Sequence, residues 1–473
     1  MHSDVRSNRD LSEGDVNHTP GRREFQARHL DEPTRRSLEA DAGVYLHQSL
    51  SSPCINVLAG SQGTVLTDSQ GRKILDFHGN SVHQVGHGHP RVVEAVKRQL
   101  DTLPFCPRRF ANEPATRLGQ RLAELAGPPL NKVLLAPGGT LAIGIAMKLA
   151  RIATGRFKFV SMWGAFHGAS LDAISIGGES VFRNRIGPLL PGCEHVPPCA
   201  PRSCALGCAG TCSLACARAL ESVLEREGDV AAVVAEPVRC TTVDIPPAEY
   251  WQMVRAACDR HNALLIFDEI PTCLGRTGKM FAFEHFGVRP DILVLGKGLG
   301  GGLFPQAAVV ARQDLDVGGH TALGHYTHEK STLGSAAGLA TLDVIQDERL
   351  VERSAKLGAA WVHELRSRLG KLGHVRDVRG LGMLVGIELG SDLGGAATAM
   401  LCDRVLYGCM EAGLSFKVSD GRVLTLTPPL NVRETELAAA ADILCDVIAR
   451  SPTPFPVPFD GHIATPQSRG AHQ

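Results

Sequence analysis

No sign of charge dominates this chain: 49 lysines and arginines stand against 49 aspartates and glutamates in 473 residues. Without a basic excess, a role on nucleic acid or at an anionic membrane surface is not expected. Long apolar runs are missing as well. No stretch approaches the roughly 20 residues of a membrane span, and the first 35 residues are polar, with no apolar signal core. These absences predict a cytoplasmic protein with neither a membrane nor a nucleic-acid partner. No internal repeat is present either, which argues against a solenoid.

Hydrophobic residues make up 44% of the chain, and at this length they predict a large core shared by two unequal domains. Fourteen cysteines are many for the cytoplasm. Most stand singly in apolar segments, as Cys258, Cys402 and Cys445 do, where a thiol serves as a small buried hydrophobe. Six fall together in "CEHVPPCAPRSCALGCAGTCSLAC", from Cys193 to Cys216, the last four recurring at every fourth residue. That spacing suits one helix face or a metal, but it lacks the paired Cys-x-x-Cys of a zinc ribbon. The segment is read as a reduced structural insertion with no resident metal; a metal or redox role is the alternative.

The polar residues 1–40 read as a mobile arm. "GTVLTDSQGRKILDFHGN" (63–80) reads as a hairpin around Asp68–Gly71, and "PRVVEAVKRQLDTL" (90–103) has helical periodicity behind an N-terminal proline. From about residue 130 to 312, helices alternate with short strands: "KVLLAP", "FKFVSMW", "VAAVVAEP", "ALLIFDE", "DILVLG" and "AAVVAR". Their unbroken apolar character is that of a parallel sheet covered by helices on both faces. The expected division is an N-terminal segment (41–95) joined to a small domain, a large α/β domain (96–335), a smaller α+β C-terminal domain (336–450), and a loose tail (451–473).

Three signals carry chemistry. Lys297 ends the apolar run "DILVLG", at the carboxyl edge where ligands of open α/β sheets bind. Apolar walls lower an ammonium pKa and free the amine for a Schiff base. Gly298 and Gly300 to Gly302 read as room for another molecule. Asp268 ends the strand "LLIFD" about one strand–helix–strand unit earlier, so both side chains reach the same edge. A buried carboxylate there needs a positive partner, which a protonated pyridine nitrogen would supply. Gly138-Gly139-Thr140 turns from a strand into a helix, offering free N–H groups and a hydroxyl to a phosphate. The turn lacks the Lys-Ser/Thr ending of a nucleoside-triphosphate loop. Together the three describe pyridoxal 5'-phosphate.

Across roughly residues 52–442 the sequence resembles the class III aminotransferases of fold type I. "LLIFDEI" followed by "GRTGKMFAFEHFGVRPDILVLGKGLGGG" carries the resemblance, with "AFHG", "AEPV" and "LTPPL" as further landmarks. It implies a mostly parallel sheet between helices, Lys297 as the cofactor lysine and Asp268 as partner of the ring nitrogen. Gly139 and Thr140 would hold the phosphate, Phe166 and Ile270 would cover the two ring faces, and Thr327 would serve the neighbouring subunit's phosphate in a homodimer with shared sites. Three departures stand out: Pro271 and Cys273 replace a glutamine and a glycine, Leu141 replaces a glutamate, and Thr425 replaces an arginine that often binds a substrate carboxylate.

Some branches of the family eliminate rather than transaminate, releasing ammonia from small phosphorylated or phosphonylated amines. The missing arginine favours that outcome, with Arg108 and Arg109 expected to hold the phosphoryl or phosphonyl group and His83 as a further substrate contact. An aminotransferase acting on an ω-amine or amino acid is the second expectation. A non-catalytic, cofactor-retaining scaffold is the third.

Overall fold

The computed structural model describes residues 19–48, 53–208 and 212–451. Three strands come first, β1 (Leu58–Gln62), β2 (Val65–Asp68) and β3 (Lys73–Asp76). Seven follow: β4 (Leu130–Ala136), β5 (Lys158–Met162), β6 (Cys193–Val196), β7 (Val230–Ala235), β8 (Leu264–Asp268), β9 (Ile292–Leu295) and β10 (Ala307–Arg312). The last five are β11 (Val375–Leu381), β12 (Leu384–Leu389), β13 (Leu414–Ser415), β14 (Lys417–Ser419) and β15 (Val423–Leu426).

The seven middle strands form one sheet in the order β4-β10-β9-β8-β7-β5-β6. Every residue of β7, β8 and β9 is buried, as their apolar sequences predict. Side chains of a strand alternate between faces, and here they feed two separate cores. Leu265 and Phe267 pack with Leu220, Leu224 and Val254 on one face. Leu264 and Ile266 pack with Ile143, Ala146 and Ala150 of the helix Gly139–Thr154 on the other. The sheet is parallel except for β10, antiparallel to both β4 and β9. The segment from Gly296 to Gln306 is too short for a covering crossover helix, so the chain turns back instead.

A second sheet, β11-β12-β15-β14, is antiparallel throughout. A third, β1-β2-β3-β13, joins the N-terminal segment to the C-terminal part through parallel pairing of Leu75 with Leu414. The hairpin expected over 63–80 is β2–β3, closed by Gly71 N–H donating to Asp68 O at 3.0 Å.

The arm expected over residues 1–40 needs correction from Thr19 onward. Pro20–His29 and Glu32–Val44 are helices, each capped by a side chain (Thr19 and Asp31) with proline in its first turn. Phe25 is buried against Tyr407, and Gly21 N–H donates to Asp403 at 3.0 Å. One well-placed aromatic and two caps anchor a segment whose mean composition is polar. Residues 1–18, and the tail beyond Ser451, lie outside the described residues.

Candidate active site

The carboxyl ends of β4, β5, β7, β8 and β9 open on one cavity of about 660 Å³. Gly139, Thr140, Phe166, Asp268, Ile270 and Lys297 all line it. Asp268 lies across from Val294 of β9 in the sheet, which sets Lys297 at the same edge. Lys297 itself adopts φ 45°. A non-glycine residue in this region stores about 1 to 3 kcal/mol of strain and persists only where its surroundings hold it. Part of that hold comes from the glycines nearby, whose reading changes. A Cβ on Gly298 would lie 2.0 Å from Gln84 Oε1, and one on Gly301 2.6 Å from Thr341 Oγ1. These two glycines let the chain pack on itself around Lys297, and of the expected run only Gly302 lines the cavity.

Asp268 is buried and held on both oxygens. Oδ1 accepts from Ile270 N–H at 3.0 Å, and Oδ2 lies 2.8 Å from His167 Nδ1. His167 is fully enclosed, its Nε2 3.3 Å from Ser161 Oγ. Burial pushes its imidazole toward neutrality, but the Asp268 hydrogen bond and the nearby charges of Asp268, Glu236 and Glu179 outweigh it and hold the pKa above the usual value. Glu236, after β7, accepts from Phe166 N–H at 3.3 Å and Cys240 N–H at 3.1 Å, fixing the loop that carries Phe166. Burial raises its pKa, with His167 opposing.

At the opposite end of the cavity the helix Gly139–Thr154 begins at Gly138 without a side-chain cap. Its first N–H groups stay available to an anion. Thr140 Oγ1 is positioned beside them by Ser170, whose N–H donates to it at 3.2 Å. The space is tight: a Cβ on Gly139 would lie 2.9 Å from Ile270 Cδ1, and one on Gly168 2.5 Å from Thr140 Oγ1. A carboxylate with a histidine hydrogen-bonded behind it, an amine one strand away and an uncapped helix N-terminus form a donor set that fits pyridoxal 5'-phosphate.

Four expected residues are not brought into this cavity. His83 is fully buried, its Nε2 3.1 Å from Asp76 O, and burial pushes its pKa down to about 4, so it is a neutral structural group rather than a substrate contact. Arg108 is half-buried and Arg109 exposed, both on a turn outside the lining. Thr327 is exposed and also outside the cavity of its own chain.

The departures are visible in the geometry. Thr425 Oγ1 is engaged by Thr241 O and lies 3.1 Å from Ser419 Oγ. Pro271 lines the cavity, and Cys273 is buried below it. Among the described residues, the lysines that line the cavity are Lys297 and Lys417. Lys417 pairs directly with Thr425 across β14–β15, around a turn with Asp420 and Gly421 at φ 52° and 60°. Sequence reasoning missed Lys417, His167 and Glu236. The Asp-Gly pair between two apolar runs is a hairpin signal that would have brought Lys417 beside β15, although a two-residue turn would set it opposite Leu424, and the loop of three residues, Asp420 to Arg422, sets it opposite Thr425. His167 and Glu236 lie inside the landmarks "AFHG" and "AEPV", the signal that could have found them.

The class-III aminotransferase family matches residues 48–448. The chain is 44% identical to the (R)-1-hydroxy-2-aminoethylphosphonate ammonia-lyase of Vibrio splendidus, over 93% of this chain and 95% of that protein. It is 35% identical to the acetylornithine aminotransferase of Methanopyrus kandleri, over 83% of this chain and 94% of that one. Its fold matches the ornithine aminotransferase of Toxoplasma gondii with a TM-score of 0.79 at 29% identity, covering 92% of this chain and 99% of that structure. With the fold, the cavity and the family in agreement, the chain belongs to the class-III aminotransferases and is a pyridoxal 5'-phosphate enzyme.

Proposed function

We propose that the protein is an ammonia-lyase acting on a small primary amine that carries a hydroxyl and a phosphonate on the neighbouring carbon. The observation that supports this most is the cavity end beside β15, where Thr425 is tied to Thr241 and the cation is an ammonium, Lys417. Among the described residues no guanidinium lines the cavity to pair a substrate carboxylate bidentately. An ammonium acts as a point charge and suits a phosphonate equally well. The similarity to the Vibrio splendidus lyase supports the same reading.

When bound, pyridoxal 5'-phosphate supplies a ring that accepts the electron pair left beside the substrate's nitrogen. Thr140 and the first N–H groups of its helix hold the phosphate. Phe166 and Ile270 would cover the two faces, and Asp268, hydrogen-bonded to His167, would pair with the protonated ring nitrogen. Lys297 Nζ removes the proton from the amine-bearing carbon and delivers it to the departing hydroxyl, so that water leaves. The released enamine takes up water and yields an aldehyde and ammonia, with no keto acid consumed. The protein works in the cytoplasm as a homodimer in which Thr327 reaches the partner's phosphate. The exposed apolar residues Val44, Tyr45, Leu46 and Phe110 support such an interface.

Incubation with 1-hydroxy-2-aminoethylphosphonate and no keto acid should release one ammonia per aldehyde. Ammonia or amino transfer that needs a keto acid would instead establish an aminotransferase, the reading favoured by the Methanopyrus kandleri relative.

A further inference from the structure

The six cysteines from Cys193 to Cys216 have no part in the site described above, and all are free. Cys193 belongs to β6. Beyond that strand the sulfurs converge. Cys199 Sγ and Cys212 Sγ are 3.8 Å apart, and those of Cys199, Cys212 and Cys216 all lie within 4.8 Å of one another. Sulfurs bound tetrahedrally at about 2.3 Å from a zinc ion are separated by about 3.8 Å. Cys208 stands outside this group of three, its Sγ 3.2 Å from Oγ of Ser213, the residue that follows Cys212.

Burial of small apolar groups explains a single thiol in a core. It does not explain three sulfurs meeting at one point, nor backbone amides aimed at two more. Leu206 N–H donates to Cys204 Sγ at 3.4 Å, and Ser213 N–H donates to Cys208 Sγ at 3.3 Å. Amide-to-sulfur bonds of this kind orient and stabilise metal-bound thiolates.

The segment also has something to hold. Between β6 and the helix Ala215–Glu227 it has no helix or strand among the described residues, yet it contacts distant parts of the fold. Arg202 pairs with Asp377 of β11 at 3.0 Å, and Ser203 Oγ accepts from Arg422 at 3.3 Å. Cys199 itself faces a small void shared with Glu236, the residue that fixes the Phe166 loop. A structural metal contributes folding energy, which can hold a segment that lacks helix or strand hydrogen bonding.

We propose that Cys199, Cys212 and Cys216, with Cys208 as the fourth thiolate, bind one structural zinc ion that fixes this segment behind the active site. Each thiol gives its proton to solvent on binding, and the closed four-sulfur shell leaves no position for substrate. Four soft sulfur ligands also suit iron, and the test separates the two metals.

The full chain, purified without chelator or added metal, should contain about one zinc per chain by elemental analysis. Cys212→Ser should lower that content at least tenfold. Chelation should lower the melting temperature of the wild type and leave that of Cys212→Ser unchanged. X-ray absorption at the zinc edge of the wild type, which depends on no variant, should read four sulfurs at about 2.3 Å. Iron in place of zinc, a Cys199–Cys212 disulfide by mass spectrometry, or no zinc retained after incubation with one equivalent of zinc chloride would each overturn the proposal.

Discussion

His167 carries much of what is new at the scale of single residues. Its pKa is raised against the pull of burial, chiefly by Asp268. A histidine raised in this way stabilises the fold fully below its ordinary value of 6.5, and the contribution fades as pH climbs through the raised value. His167→Gln should therefore cost about 2 kcal/mol near pH 6 and clearly less at pH 10, as read from urea unfolding. An equal cost at both pH values would show that the pair is not charged. Lys417→Met gives a second residue-scale prediction: KM for the phosphonate substrate should rise at least tenfold, while turnover of an amine lacking the phosphonate should stay nearly constant. Parallel loss on both would make Lys417 a general support of the cavity. Lys297 and Asp268 were legible in the sequence because each ends an apolar strand, where burial and position are dictated locally. His167 and Lys417 were not, because their roles come from partners about a hundred residues away or across a hairpin.

Elements show the same division. The strands β4, β5 and β7 to β10 could be read directly, since a buried parallel strand must be apolar on both faces. The reversal of β10 depends on connection length, a weaker signal, and β6 was hidden inside the cysteine-rich segment. The glycine-rich stretch after β9 was read as empty space, but two of its glycines admit Gln84 and Thr341 instead. That packing is invisible without the fold. The phosphate end of the site yields a prediction for the helix Gly139–Thr154. Gly168 has φ 121° and no room for a Cβ beside Thr140 Oγ1. Gly168→Ala should both strain the backbone and displace that hydroxyl, weakening pyridoxal 5'-phosphate binding at least tenfold in a spectrophotometric titration. Unchanged affinity would remove Thr140 from the phosphate site.

The whole molecule joins chain segments far apart in sequence around one sheet edge. The N-terminal segment contributes His78, Asn80, Ser81 and Val82 to the cavity wall, and the C-terminal part contributes Lys417, Thr425 and Thr427. Thr427 N–H donates to Phe77 O at 2.6 Å and ties the two. If the site is also shared between two copies, Lys297→Ala and Thr327→Val chains mixed and refolded together should regain activity. A mixed dimer then holds one site with both residues intact. No recovery, with mixed dimers shown by mass spectrometry, would place Thr327 outside the site. The account as a whole rests on Lys297 as the point of cofactor attachment, and covalent labelling tests that most directly. Borohydride reduction of the cofactor-loaded protein followed by peptide mapping should find the added phosphopyridoxyl mass on Lys297, and none in Lys297→Ala. The same mass on another lysine, with Lys297 unmodified, would contradict it.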